Sequence, residues 1–87
     1  METIKLNARY GYTHSLEHIA DNLWLFKSDP KSAGYFRLIG DYPNNIKAFD
    51  PDGGPFLSVG STVNGYTIKS ITSSGIFELV KNENENS

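Results

Sequence analysis

Apolar positions that alternate with polar ones, interrupted by turn-forming residues, run along most of the chain and predict short β-strands. The pattern is clearest over residues 61–80, where Asn64-Gly65 stands between two β-forming segments. Asn-Gly is a strong hairpin signal there, because a type I′ turn requires positive φ at both central residues. Ser73-Ser74-Gly75 supplies a second turn before the last apolar run. This region therefore predicts a three-stranded meander.

Two isoleucines in the middle strand of this meander lie at positions of opposite parity. Successive side chains of a regular strand point to opposite faces, so Ile68 and Ile71 cannot share one face of it. Either the strand carries a bulge, or both of its faces are partly covered.

A second hairpin is predicted in the middle of the chain. Residues 35–39 form an apolar-rich run that ends at Gly40, and residues 46–49 form another beyond a Pro- and Asn-containing turn. The breaker-rich stretch 50–55 follows this pair. Residues 56–60 then continue either as a short strand or as an extended loop.

The N-terminal third contains two further strand patterns. Residues 3–8 alternate polar and apolar, as a half-buried strand does, whereas the continuous apolar run 23–26 indicates a strand covered on both faces.

Residues 15–22 fit two structures. Apolar residues at i, i+3, i+4 and i+7 from Leu16 suit a short helix with Ser15 as its N-cap. The alternative is a hairpin that turns at Asp21-Asn22, with residues 16–20 as its first strand. We favour the hairpin, because a helix of about eight residues is marginal without packing.

These patterns predict an all-β fold, a small antiparallel barrel or sandwich (SH3-like or OB-like) of six or seven short strands. If residues 15–22 are helical, the fold is instead α+β, with one short helix over a curled antiparallel sheet. The globular part is predicted to be one domain over residues 1–81. Residues 82–87 lack apolar side chains and predict a disordered acidic tail.

Composition narrows the classes of function. The chain has no cysteine, which removes disulfides, thiolate metal sites and cysteine nucleophiles, and mildly favours a reducing, cytoplasmic setting. The N-terminus has no signal-peptide pattern, and the longest apolar run, residues 23–26, is far too short to span a membrane. Without Glu83 and Glu85 of the tail, eight acidic side chains balance eight basic ones over residues 1–81. A neutral body without a basic cluster argues against nucleic-acid binding.

One motif resembles a catalytic site. His14-x-x-Glu17-His18 matches the inverted zinc-protease pattern, in which two histidines one helical turn apart share a metal. If the segment is a strand, the histidines lie roughly 13 Å apart, too far for one ion. These are the two histidines of the whole chain, so a three-histidine site is impossible. We predict no metal, no cofactor and no enzyme activity.

A second candidate is the stretch from Asp50 to Gly54, which contains Asp52. Its spaced carboxylates resemble the start of a calcium loop, but Gly54 and Ser61 occupy places where that loop needs oxygen ligands from its side chains. The two aspartates can cap the turn, and they remain candidate binding residues on a stretch stiffened by prolines.

Exposed aromatic side chains are the third candidate. Tyr10 and Tyr12 flank a glycine at the end of the first strand, and tyrosine is enriched in binding hot spots. Arg37, on a predicted strand, could supply a cation nearby. Most of the remaining aromatic residues are expected in the core.

The sequence therefore favours a non-catalytic module that binds a protein partner through aromatic rim residues or a strand edge, with homo-oligomers as a possibility. The stretch 53–65 is similar in texture to small bacterial or phage β-domains. The alternative is a small-molecule or nucleotide binder that acts as an oligomer. A single-stranded nucleic-acid binder and a zinc hydrolase have less support.

Overall fold

A computed structural model of the chain describes residues 2–7, 11–32, 37–49 and 55–82. Within these ranges the backbone forms nine strands and no α-helix. The strands are β1 Thr3–Asn7, β2 Thr13–Ala20, β3 Leu23–Lys27, β4 Arg37–Asp41, β5 Asn45–Phe49, β6 Pro55–Ser58, β7 Thr62–Val63, β8 Tyr66–Ile71 and β9 Ile76–Lys81. The described residues contain no helix with the length and apolarity that crossing a membrane requires.

The strands form two antiparallel sheets. The larger has the order β1-β2-β3-β9-β8-β7 and is curled into a half-barrel, and the smaller has the order β4-β5-β6. The predicted all-β antiparallel fold is confirmed. The described residues make more strands than the six or seven predicted, and the excess lies in short ones, because β6 has four residues and β7 has two.

Residues 15–22 are not helical. Strand β2 runs to Ala20, and the chain turns at Asp21-Asn22 with Asp21 at a φ of 43°. The hairpin interpretation is confirmed, and the helical alternative is wrong. The helix-like spacing does not mark one buried face: alternation from the buried Leu16 places Ile19 on the outer face of β2, where it is 40% exposed.

The C-terminal meander is confirmed. Asn64 and Gly65 have φ of 50° and 84°, the positive values that a tight hairpin turn requires. The register of β8 against β9 shifts between Ile68 and Ser70, and this bulge brings both Ile68 and Ile71 into the core with no exposed surface. Of the two explanations for their parity, the bulge is correct.

The hairpin of β4 and β5 depends on a glycine inside a strand. The strand does not end at Gly40, as predicted, but continues through it to Asp41. Gly40 has a φ of 131°, and a side chain there would collide with the carbonyl oxygen of Asn45. A residue with a Cβ atom cannot occupy this position without moving the backbone.

The buried apolar residues of the described ranges form one hydrophobic core between the two sheets. Isoleucine, leucine and aromatic side chains from the inner face of the half-barrel pack against three buried residues of the smaller sheet, Ile46, Ala48 and Leu57. Main-chain hydrogen bonds also join the sheets, from Ile71 N–H to Pro43 C=O (2.9 Å) and from Gly60 N–H to Ile68 C=O (2.8 Å).

Strand β3 is covered less evenly than predicted. Trp24 is 2% exposed on the inner face, but Leu23 on the other face is 38% exposed. The prediction of coverage on both faces is therefore wrong for the start of this strand.

At the C-terminal end of the described chain, Asn82 is held by a hydrogen bond from its N–H to Gly65 C=O and by another from the Thr67 hydroxyl to its side chain. Residues 83–87 of the predicted tail lie outside the described ranges.

Candidate functional site

The structure describes two of the five residues predicted to bind a partner. Tyr12 is half-buried beside the start of β2, and Arg37 is exposed at the start of β4. Tyr10, Asp50 and Asp52 lie outside the described residues, so the predicted aromatic pair and the aspartate-rich turn stay predictions. The strand beside Tyr12 and the strand that carries Arg37 belong to different sheets, so the sheet topology does not pair these two residues.

The zinc-protease motif lies on a strand. His14 and His18 project from the same face of β2, with Leu16 between them, while Glu17 projects from the opposite face and pairs with Lys27 at 3.8 Å. Four strand residues span roughly 13 Å, too far for one ion to join both rings. No cluster of three potential metal ligands occurs within the described ranges. These residues therefore do not form the geometry that the zinc hydrolase hypothesis requires.

His14 instead takes part in a buried polar cluster. Its side chain has no exposed surface, and its Nδ1 atom accepts a hydrogen bond from the backbone N–H of Asp29 at 2.9 Å. The Asp29 carboxylate in turn accepts the N–H groups of Thr13 (2.8 Å) and Lys31 (2.9 Å). These hydrogen bonds hold the segment after β3, which includes the short 3₁₀ helix Pro30–Ser32, against the start of β2.

The same hydrogen bonds act on the titration of Asp29. The N–H of Thr13 and then that of Lys31 stabilise the ionised carboxylate and lower the pKa of Asp29 below its ordinary value of 3.8. Burial acts against this effect, and the positive charge of Lys31 contributes less. A carboxylate that accepts several backbone N–H groups is well suited to holding a loop. The cluster therefore has a structural role.

A row of rings continues along the inner face of the half-barrel. His18 lies 4.9 Å from Trp24, and Trp24 lies 5.4 Å from Tyr66 in an edge-to-face arrangement. His18 also donates from Nε2 to the carbonyl oxygen of Asp21 at 2.7 Å. These contacts assign the rings to packing, as expected for most of the aromatic residues.

Exposed apolar side chains occur at two hairpins. Ile39 and Tyr42, at the β4–β5 hairpin, are 49% and 46% exposed, and Ile19 and Leu23, at the β2–β3 hairpin, are 40% and 38% exposed. Single exposed apolar residues are common and carry little meaning alone. Ile39 differs from the others because it lies in the middle of a strand at the end of a sheet.

The backbone direction shows which groups of β4 face outward. The carbonyl oxygen of Ile46 accepts the N–H of Val59, so the main-chain groups of Ile46 point away from β4. Main-chain groups alternate in direction along a strand, so the next residue points toward β4, where its partner is Ile39. The N–H and C=O groups of Leu38 and Gly40 consequently face away from β5. No strand of the described chain lies on that side.

Comparison of the sheet ends distinguishes this edge from the other three. Strand β7 has two residues, β6 begins with Pro55, and β1 has the exposed Lys5 at its centre, all of which discourage pairing with another strand. Strand β4 instead has Ile39 at its centre, with Arg37 and Asp41 exposed at its ends. We call the outward backbone of β4 and these three side chains the β4 edge.

Sequence patterns identified Arg37 as a candidate but missed Ile39 and Asp41. Alternation over the five residues of β4 places positions 37, 39 and 41 on one face, which is a usable signal. This signal was missed because the strand was predicted to end at Gly40, which assigns Asp41 to the turn.

Comparison with known proteins gives no assignment: no protein-family model matches the chain, and neither a curated protein nor a solved structure shows significant similarity to it.

Proposed function

We propose that this domain is a non-catalytic interaction module that binds a protein partner through the β4 edge. The observation that carries the proposal is an exposed isoleucine at the centre of a sheet-end strand whose neighbouring main-chain groups face outward. Proteins often bind an extended segment by adding it to such an edge as a further strand.

Each part of the β4 edge has a role in this form of binding. The N–H and C=O groups of Leu38 and Gly40 supply main-chain hydrogen bonds, which bind an extended segment regardless of its sequence. Ile39 supplies apolar contact. Arg37 favours a segment with an acidic residue opposite it, and Asp41 favours a basic residue opposite it. Specificity then comes from the side chains and affinity from the backbone.

An aromatic residue also accompanies this edge. Tyr42 follows directly after β4 and is exposed, so it can extend the contact surface beyond the strand. Tyr12 is half-buried and has less surface to offer. Among the described tyrosines, Tyr42 therefore fits the predicted aromatic rim better.

The proposal includes the setting that composition favours. A chain without cysteine is suited to a reducing compartment, so we place the module in the cytoplasm of a bacterial or phage-infected cell.

Differential capture tests the proposed function. Tagged wild-type protein and an Ile39→Lys variant are compared, with Ile19→Lys as the matched control, since both isoleucines are exposed on hairpin strands. A partner that binds the wild type and the Ile19→Lys variant, but not the Ile39→Lys variant, supports the proposal. A partner retained by all three proteins would place its binding site elsewhere.

Hydrogen exchange on the purified complex locates the contact. The amides of Leu38 and Gly40 are expected to become protected when the partner binds, whereas the amide of Lys5, on the outward side of β1, keeps its exchange rate. Protection at β1 instead of β4 would overturn the assignment of the edge.

A further inference from the structure

We infer that the partner of the β4 edge is a second copy of this chain, paired antiparallel about a twofold axis at Ile39. The inference rests on the proposed function, because it assigns an occupant to the same edge. It follows from the order of charges and backbone groups along Arg37–Asp41.

The backbone register is self-complementary. In a twofold pair centred on Ile39, Leu38 of one copy lies opposite Gly40 of the other, and the reverse. These are the two residues whose N–H and C=O groups face away from β5. Each such pair of opposed residues exchanges two hydrogen bonds. Because the twofold axis generates two Leu38–Gly40 pairs, this register makes four hydrogen bonds between the copies.

The charges are also self-complementary. The same register places Arg37 of each copy opposite Asp41 of the other, on the exposed face of the sheet. Opposite charges directly across an antiparallel pair stabilise it, whereas like charges destabilise it. A strand with two like charges at its ends would repel its own copy, so this order favours self-pairing.

The apolar residues fit the axis as well. The two copies of Ile39 face each other on the side where each is 49% exposed alone. On the inner face, the half-buried Leu38 meets Gly40 of the other copy, which has no side chain to obstruct it. Pairing would join two three-stranded sheets into one six-stranded sheet and remove both exposed edges.

A charge exchange tests the register directly. The mass of the full-length chain is measured by sedimentation across a concentration series for the wild type, Arg37→Glu, Asp41→Arg and the double variant. Each single change places like charges opposite each other and is expected to weaken the dimer by more than about tenfold. The double variant restores opposite charges and should recover most of the affinity. Both side chains are exposed, so circular dichroism spectra that match the wild type would show that the variant monomers still fold.

Control variants separate this inference from the proposed function. Lys5→Glu on β1 should leave the dissociation constant unchanged, and Ile39→Lys should give a monomer. A wild-type chain that stays monomeric at millimolar concentration would overturn the dimer. A protein captured through Ile39 by that monomer would still support the proposed function. Equal weakening in the single and double charge variants would show that copies associate in a different register.

Discussion

The backbone N–H of Asp29 donates a hydrogen bond to Nδ1 of His14, which is fully buried, across 2.9 Å. The two residues are fifteen positions apart, and the bond joins the end of the β2–β3 hairpin to its beginning. Because Nδ1 accepts, the neutral ring of His14 carries its proton on Nε2. A residue from the motif resembling a catalytic site therefore organises the fold.

Replacing His14 by phenylalanine should destabilise the protein. His14→Phe keeps a ring in the core but removes the acceptor for Asp29 N–H, and a buried group without a partner costs about 1–3 kcal/mol. The free energy of unfolding in urea measures the loss. His18→Phe is the matched control, since its bond to Asp21 is exposed and its loss should cost under about 1 kcal/mol. Equal losses in the two variants would show that the buried hydrogen bond of His14 stabilises the fold no more than the exposed one of His18.

The carboxylate of Asp29 should make stability depend on pH in the acid range. Its folded-state pKa lies below the ordinary value of 3.8, so ionisation stabilises the fold above that pH. This contribution is lost as the pH falls through the folded-state pKa. Asp29→Asn lacks the ionised acceptor, so its deficit relative to the wild type should be largest near pH 6 and shrink below about pH 4.

Urea denaturation at a series of pH values measures this convergence. Asp21→Asn is the control, because Asp21 is exposed and asparagine tolerates its positive φ. The deficit of Asp29→Asn is read against that of this exposed-site variant at each pH. A deficit of Asp29→Asn that is constant with pH would show that the carboxylate does not titrate with folding.

Local signals predicted the parts of the fold that depend on neighbouring residues. Asn64-Gly65 indicates its turn because few other pairs adopt its φ values, and the parity of Ile68 and Ile71 anticipates a bulge. The order of strands was not predictable in this way. Pairing of β3 with β9 joins segments about fifty residues apart, and nothing in either segment alone identifies the other.

The candidate site was less accessible from sequence for the same reason. Arg37 and Ile39 form part of an exposed edge only because β4 lies at the end of its sheet. That position depends on long-range packing. Similarly, the burial of His14 depends on the segment around Asp29, so the residue types of the motif pointed to metal chemistry that the strand geometry does not form.

Gly40 should be among the residues least tolerant of change. Gly40→Ala meets both an unfavourable φ and the carbonyl oxygen of Asn45, so the expected loss is about 3 kcal/mol or more. Gly60→Ala is the control: it has a positive φ of 96° but open space around its Cβ position, so it should lose about 1–2 kcal/mol. Thermal and urea unfolding would rank the pair, and a smaller loss for Gly40→Ala would contradict the collision with Asn45.

Because β8 contains a bulge at Lys69, deleting Lys69 should lower the free energy of unfolding far less than deleting Thr67. Lys69 is the extra residue between Ile68 and Ser70, so its removal leaves Ile68 and Ile71 two positions apart and still on one face. The deletion loses the hydrogen bond from Asn44 to the Lys69 carbonyl, and we expect a cost of about 1–2 kcal/mol.

Deleting Thr67 is the matched comparison, because it lies in the regular part of the same strand. It forces either Tyr66 or Ile68 out of the core face, and exposing a fully buried isoleucine costs at least about 3 kcal/mol. Urea denaturation, with near-ultraviolet circular dichroism as a check on core packing, should show a folded protein without Lys69 and a largely unfolded one without Thr67. Equal destabilisation would mean that the bulge does not absorb the change of register, and that the two isoleucines reach the core by another route.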